Sequence, residues 1–189
     1  TQYPFPFGMA QTNRLVAMSK AIVYAKVYVH VVCLKPTELG RSIRNFNTIG
    51  KFDGVTYSYS PGTTIRNKNP VIRLFHYYFG FWRAMLNILT ARGKNEPRVA
   101  VIGVTNNYRY ALLILACRIK NIKVVHERSE YPFLTYSGSF FQKLSFTIYK
   151  KLICSRFDAM ITITRALSNY YKPFLKSNAH EFLLPIMVE

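Results

Sequence analysis

The chain has 189 residues, half of them hydrophobic and only 18% charged, which excludes a disordered tail and a small disulfide-stapled scaffold. Its 26 Lys and Arg stand against 8 Asp and Glu, a formal +18, so the partners its field favours are polyanions: nucleic acid, nucleotide phosphates or an anionic membrane leaflet. Cys33, Cys117 and Cys154 are odd in number and sit in apolar stretches, which reads as buried free thiols in a reducing, cytoplasmic compartment rather than a disulfide frame.

In chain order, residues 12–26 set Leu15, Met18, Ile22 and Ala25 on one helical stripe, and residues 27–34 form a valine-rich strand closed by Lys35-Pro36. Residues 37–69 are polar and rich in Gly, Asn, Ser and Pro, with one short strand at 54–60 ended by Pro61-Gly62. Ile72, Phe75, Phe79, Trp82, Leu86 and Leu89 recur at spacings of three and four, which predicts a long helix ended by Arg92-Gly93. A buried-type strand follows at 98–104. A helix then carries Leu112, Leu115, Ala116 and Ile119, and a short strand covers 123–126. The segment 139–156 reads as a helix with Phe141, Leu144, Ile148 and Leu152 on one face. Residues 158–163 are a strand, Thr164 caps a helix running to about 174, and 180–184 form the last strand.

Strands and helices alternating at this spacing, several strands nearly all apolar, indicate an α/β chain with a doubly wound parallel sheet. No run reaches the roughly 20 apolar residues of a spanning helix, and no basic-then-apolar leader opens the chain. The opening at Thr1 without an initiator Met, and the stop soon after the last strand, give the expectation that residues 1–189 are one domain cut from a longer polypeptide.

Ligands of open parallel sheets gather at the carboxyl ends of strands. Three loops therefore carry the candidate chemistry. The first, residues 4–14, is a Pro/Gly loop opening into a helix, where amides near Gly8 and Met9, with Arg14, can receive an anion; the plainer alternative is an ordinary turn. The second is the strand end with Asn106 and Asn107, whose amides either meet a ligand or simply cap the next helix. The third is His126-Glu127-Arg128-Ser129-Glu130, where two of the eight acids fall within four residues of the end of an apolar strand. His126 and Glu127 suit acid/base work or sugar hydroxyls, and Arg128 suits a phosphate. The alternative is a surface ion-pair cluster of Glu127, Arg128 and Glu130 around a core histidine.

Dinucleotide, P-loop, paired-cysteine and H-E-x-x-H signatures are missing, so no metal site or resident cofactor is expected, and His30 and His76 read as packing or surface residues. Residues 76–83 and 140–151 interleave Phe, Tyr and Trp with Arg83, Lys143, Lys150 and Lys151, a composition suited to an anionic bilayer surface. Aromatics facing a sheet beneath a solvated cationic face would look the same. So would a basic, aromatic-rich nucleic-acid-binding module, the alternative function.

Residues 8–14, the strand from Val99 to Asn106, the run 116–118 leading to residues 124–133, and residues 158–167 resemble the N-terminal domain of family 4 (group 1) glycosyltransferases. The similarity spans essentially the whole chain. It implies the GT-B architecture of two Rossmann-like domains, this one receiving the acceptor while a C-terminal domain, absent from this chain, grips the nucleotide-sugar. The family's first strand should precede the Gly8 loop, where only seven residues stand; it is either missing here or partly filled by them. The implied activity is retaining transfer of a hexose from a nucleotide-sugar to a saccharide or lipid-linked acceptor, without a metal and at the inner membrane face. His126 would contact the sugar, Glu127 or Glu130 the acceptor hydroxyls, and Arg128 the site's shape or a phosphate. The Gly8 loop matches the one lying beneath donor phosphate and acceptor. No nucleic acid is implied, and a non-catalytic scaffold retaining the fold is the third possibility.

Overall fold

The computed structural model describes residues 1–40, 42–90, 98–103, 106–131 and 139–185. The helix stop at Arg92-Gly93, the strand-end pair Val104-Thr105 and the loop from Pro132 onward therefore lie outside the described residues, as do the last four positions. The chain divides into two compact units, Thr1–Asn87 and residues 88–185, the boundary falling within the last turn of the helix at Pro70–Thr90.

The first unit opens with a loop and helix α1 (Ala10–Tyr24), followed by strands β1 (His30–Cys33), β2 (Ile49–Phe52) and β3 (Val55–Tyr59) and helix α2 (Pro70–Thr90). Its sheet has the order β1-β3-β2, with β1 parallel to β3 and β2 antiparallel to it. Phe5, Val31, Cys33, Val55, Tyr57 and Tyr59 form the core, and Leu15, Val16 and Val23 of α1 pack against it. The opening loop is pinned to β3: Tyr59 donates its hydroxyl to the Phe5 carbonyl at 3.1 Å and accepts the Phe5 amide, while Asn45 donates to the same carbonyl at 3.0 Å. No strand precedes α1 among the described residues, although Thr1 lies along β1, donating its amine to the Val32 carbonyl and accepting the Leu34 amide.

Strand β2 was not expected. It joins β3 through Asp53 and Gly54, both at positive φ (46° and 84°), the backbone a two-residue hairpin turn requires. The antiparallel strand also departs from the all-parallel sheet that the alternation suggested.

The second unit holds β4 (Val99–Ile102), α3 (Asn107–Ile119), β5 (Lys123–Arg128), α4 (Phe140–Ile148) with a π turn (Tyr149–Ile153) and a 3-10 turn (Cys154–Arg156), β6 (Ala159–Thr162), α5 (Arg165–Tyr171) and β7 (His180–Leu183). Its sheet is all parallel in the order β4-β5-β6-β7 and flanked by helices, which is compatible with a Rossmann-like fold. The strands thus form two sheets instead of one. The order of the second sheet never reverses, so it has no switch-point crevice of its own.

Asp158 ties the base of this sheet together. Its carboxylate accepts the Val124 amide at 2.8 Å and Lys176 Nζ at 2.6 Å, and it pairs with Arg118 at 3.2 Å. Burial alone would raise its pKa, but these donors outweigh it and the pKa falls below the ordinary value. All three cysteines are free and buried.

Helix α2 keeps most of its apolar stripe off the core. Gly80, Phe81 and Ala84 are buried, whereas Phe75, Phe79, Trp82 and Leu86 of the apolar stripe are 44–63% exposed. Gly80 sets this orientation: a Cβ there would collide with the Leu34 carbonyl oxygen and come within 2.8 Å of the Pro61 ring. Helix α4 buries no residue at all, and Phe140 and Phe141 are each more than 70% exposed. Among the described residues no helix is long and apolar enough to cross a membrane.

Candidate functional site

The sequence candidates fall into two groups, one in each unit. Gly8, Met9 and Arg14 belong to the first. The Gly8 loop is a closed turn, in which the Thr12 hydroxyl donates to the Pro4 carbonyl at 2.9 Å and the Thr12 and Asn13 amides both reach the Met9 carbonyl. A Cβ on Gly8 would overlap the Thr12 side chain and stand 2.9 Å from Pro4 Cγ, so the loop's own closure requires the glycine. Met9 is the N-cap of α1 without a side-chain capping bond, and is 83% exposed.

The second group lies at the carboxyl ends of β4 and β5. Asn106 occupies the N-cap position of α3 but makes no side-chain capping bond. Asn107 donates to the Ser145 carbonyl at 2.7 Å and joins the start of α3 to α4, a structural use of its amide. On β5, Glu127 and Arg128 are half-buried, and Glu130 just beyond the strand is exposed. Alternation along the strand puts His126 and Arg128 on one face and Glu127 on the other.

His126 is the most enclosed of these candidates. Its side chain has no accessible surface, and the ring stacks on Phe157 (centroids 4.6 Å apart, 16° between planes) with the edge of Tyr110 at 5.1 Å. Nδ1 lies 3.0 Å from the Ile102 carbonyl oxygen, which can only accept, so Nδ1 carries the proton. Nε2 is then the acceptor for the Tyr149 hydroxyl at 2.6 Å. Burial, with the Arg128 cation next in weight, pushes the pKa down to about 3 despite the Ile102 hydrogen bond. With both nitrogens engaged and no surface, the imidazole is placed to hold Tyr149 and β4 against β5, and direct contact with a sugar would require the core to open.

What His126 supports is Arg128. The guanidinium lies against the rings of Tyr149 (5.5 Å) and Tyr171 (5.9 Å), and Nε donates to the Tyr171 hydroxyl at 3.2 Å. No carboxylate is paired with it among the described residues. The surface cluster of Glu127, Arg128 and Glu130 considered from sequence is therefore not formed through Arg128. Tyr110, Tyr149 and Tyr171, which build this aromatic seat, were not singled out from sequence. They come from three helical segments whose convergence no local pattern announces.

The cationic helix residues also divide. Arg83, Lys143 and Lys151 are exposed, but Lys150 folds back over Phe146 (4.5 Å) and Phe174 (5.0 Å). His30 bridges Thr56 and Ser58 on the first sheet, and burial lowers its pKa. Among the described residues no group of three or more His, Cys, Asp or Glu is arranged to hold a metal ion. The chain matches no protein-family profile, no curated protein and no solved structure.

Proposed function

We propose that the protein is the acceptor-side domain of a family 4 glycosyltransferase, working with a nucleotide-sugar domain not contained in this chain. The observation that carries the reading is Arg128, an arginine at the carboxyl end of a central parallel strand, seated between two phenol rings with no carboxylate partner among the described residues. A cation partly desolvated in that way is poised for an external anion, and the anion of this reaction is the diphosphate of the leaving nucleotide.

In the transfer, the bond between the sugar's anomeric carbon and the diphosphate oxygen breaks. The acceptor oxygen then bonds that carbon from the same face and gives up its proton to the departing diphosphate oxygen. Arg128 offsets negative charge building on the diphosphate, and Glu127 or Glu130 binds acceptor hydroxyls. His126 is a positioning residue that fixes Tyr149, and through it Arg128.

The test is transfer by the full-length polypeptide with radiolabelled nucleotide-sugars. Arg128→Gln, which keeps the aromatic packing, is expected to lower kcat/KM at least a hundredfold, a loss typical of removing one charge-stabilising group. Unchanged turnover in a variant with a native circular dichroism spectrum would discard the assignment.

The same reading puts the protein at the inner face of an anionic membrane, where a lipid-linked acceptor resides. Two features support this. The exposed apolar stripe of α2 lies in a stretch, residues 54–95, without a single acid, and exposed Phe140 and Phe141 lie in another, residues 131–157.

A further inference from the structure

A cleft of about 520 Å³ opens in the first unit, where the chain leaving β1 meets the first turns of α2. Lys35, Arg66 and Arg73 line it together with Pro36, Leu74 and Tyr77, and no acidic residue does. We propose that this cleft is a binding site for the phosphate groups of a small phosphorylated ligand, built from residues other than those around Arg128.

The three cations arrive from three separate segments, and the backbone holds each segment in place. Lys35 follows β1, and its ammonium stands 6.0 Å from the centre of the Tyr77 ring. Arg66 lies on a loop strapped to the residues after Lys35: the Thr37 and Glu38 amides both donate to the Thr64 carbonyl at 2.9 Å, and the Arg66 amide donates to the Glu38 carbonyl at 2.8 Å. Arg73 sits in the first turn of α2, whose start is fixed by the Val71 amide on Asn69 Oδ1 (2.9 Å) and the Arg73 amide on the Asn69 carbonyl (3.1 Å). The positive end of the helix macrodipole adds to the same field.

The acid nearest in sequence does not neutralise the cleft. Glu38 is 2% exposed and turned inward, with Oε2 accepting the Arg44 amide at 2.7 Å. No ion pair among the described residues involves Arg66 or Arg73. Two guanidinium forks and an ammonium around one concavity suit the several oxygens of a diphosphate better than a single carboxylate. The volume is that of a small-molecule pocket, and Pro36, Leu74 and Tyr77 give a wall for the uncharged part of the ligand. A polynucleotide would need a continuous cationic track in place of one local concavity.

The experiment is calorimetric titration of the 189-residue protein with inorganic diphosphate, and flotation with phosphatidylcholine vesicles carrying a polyprenyl diphosphate. Binding in the first assay assigns a soluble phosphorylated ligand, and binding in the second alone assigns a lipid-borne one. In whichever assay shows binding, Arg66→Gln with Arg73→Gln is expected to weaken it at least tenfold. Leu74→Glu, a separate change at an exposed lining position, should do the same by repulsion. Lys51→Gln removes an exposed β2 cation that does not line the cleft, and should change affinity less than twofold. The proposal is overturned if neither assay shows binding, if Lys51→Gln matters as much as the cleft variants, or if the folded cleft variants bind as well as the parent. None of these readouts involves turnover, so they are independent of the Arg128→Gln assay.

Discussion

His126 shows how one side chain's surroundings set both its chemistry and its effect on stability. Folded, the ring is neutral down to about pH 3 because burial and the Arg128 cation oppose its charge. Unfolded, it titrates near the ordinary value of about 6.5. The unfolded chain therefore holds one more proton between those two pH values, and stability contributed by neutral His126 is complete above about pH 6.5 and declines as the pH falls toward 3. At pH 5 the loss is about 2 kcal/mol relative to pH 8. His30 shifts in the same direction, so the informative quantity is a difference. Urea unfolding of the parent and of His126→Asn at pH 8 and pH 5 should show the parent losing about 2 kcal/mol more than the variant. Equal losses would mean that the ring takes up its proton while folded, and is not sealed in the core as described.

At the scale of the element, α2 marks where sequence reading succeeded and where it stopped. Spacings of three and four identified the helix, because an apolar stripe at the helical period needs no knowledge of what it packs against. The same stripe did not reveal which face is inside. That was settled by Gly80, whose missing Cβ lets the helix close on the Leu34 carbonyl and Pro61, contacts made by residues far away in the chain. Strand β2 escaped for a different reason: Ile49–Phe52 is short and half polar, and only the Asp53-Gly54 pair after it signalled a hairpin. The β5 end was legible as a cluster of unusual composition, whereas the burial of His126 depends on Phe157, Tyr110 and Tyr149 arriving from elsewhere. The glycine gives a sharp test, because Gly→Ala inside a helix ordinarily stabilises by up to about 1 kcal/mol. Gly80→Ala should instead destabilise by about 2 kcal/mol, since the added methyl group must displace backbone and proline atoms. A raised melting temperature would show that α2 does not sit on Leu34 and Pro61.

For the molecule as a whole, the +18 charge and the exposed aromatics bear on one question, what the protein meets in solution. Charge alone would draw it to any polyanion, and apolar exposure alone to any hydrophobic surface. An anionic bilayer satisfies both, with each cation near the surface contributing on the order of 1 kcal/mol and inserted rings adding apolar burial. The single tryptophan, Trp82, is 48% exposed in the middle of the α2 stripe, so it reports on this without any label. With vesicles containing 30 to 40% phosphatidylserine (a composition of the order that gives a strong surface potential), its emission should shift to the blue. Pure phosphatidylcholine should leave it unchanged. Raising salt to about 0.5 M, where the screening length falls below about 5 Å, should reverse most of the shift. Phe75→Glu with Phe79→Glu should abolish it, because two carboxylates on the stripe oppose both the field and the insertion. Single-stranded DNA that produced the same salt-sensitive shift, with vesicles producing none, would turn the reading toward a nucleic-acid surface, because bases stacking on Trp82 would then be the apolar partner of the stripe.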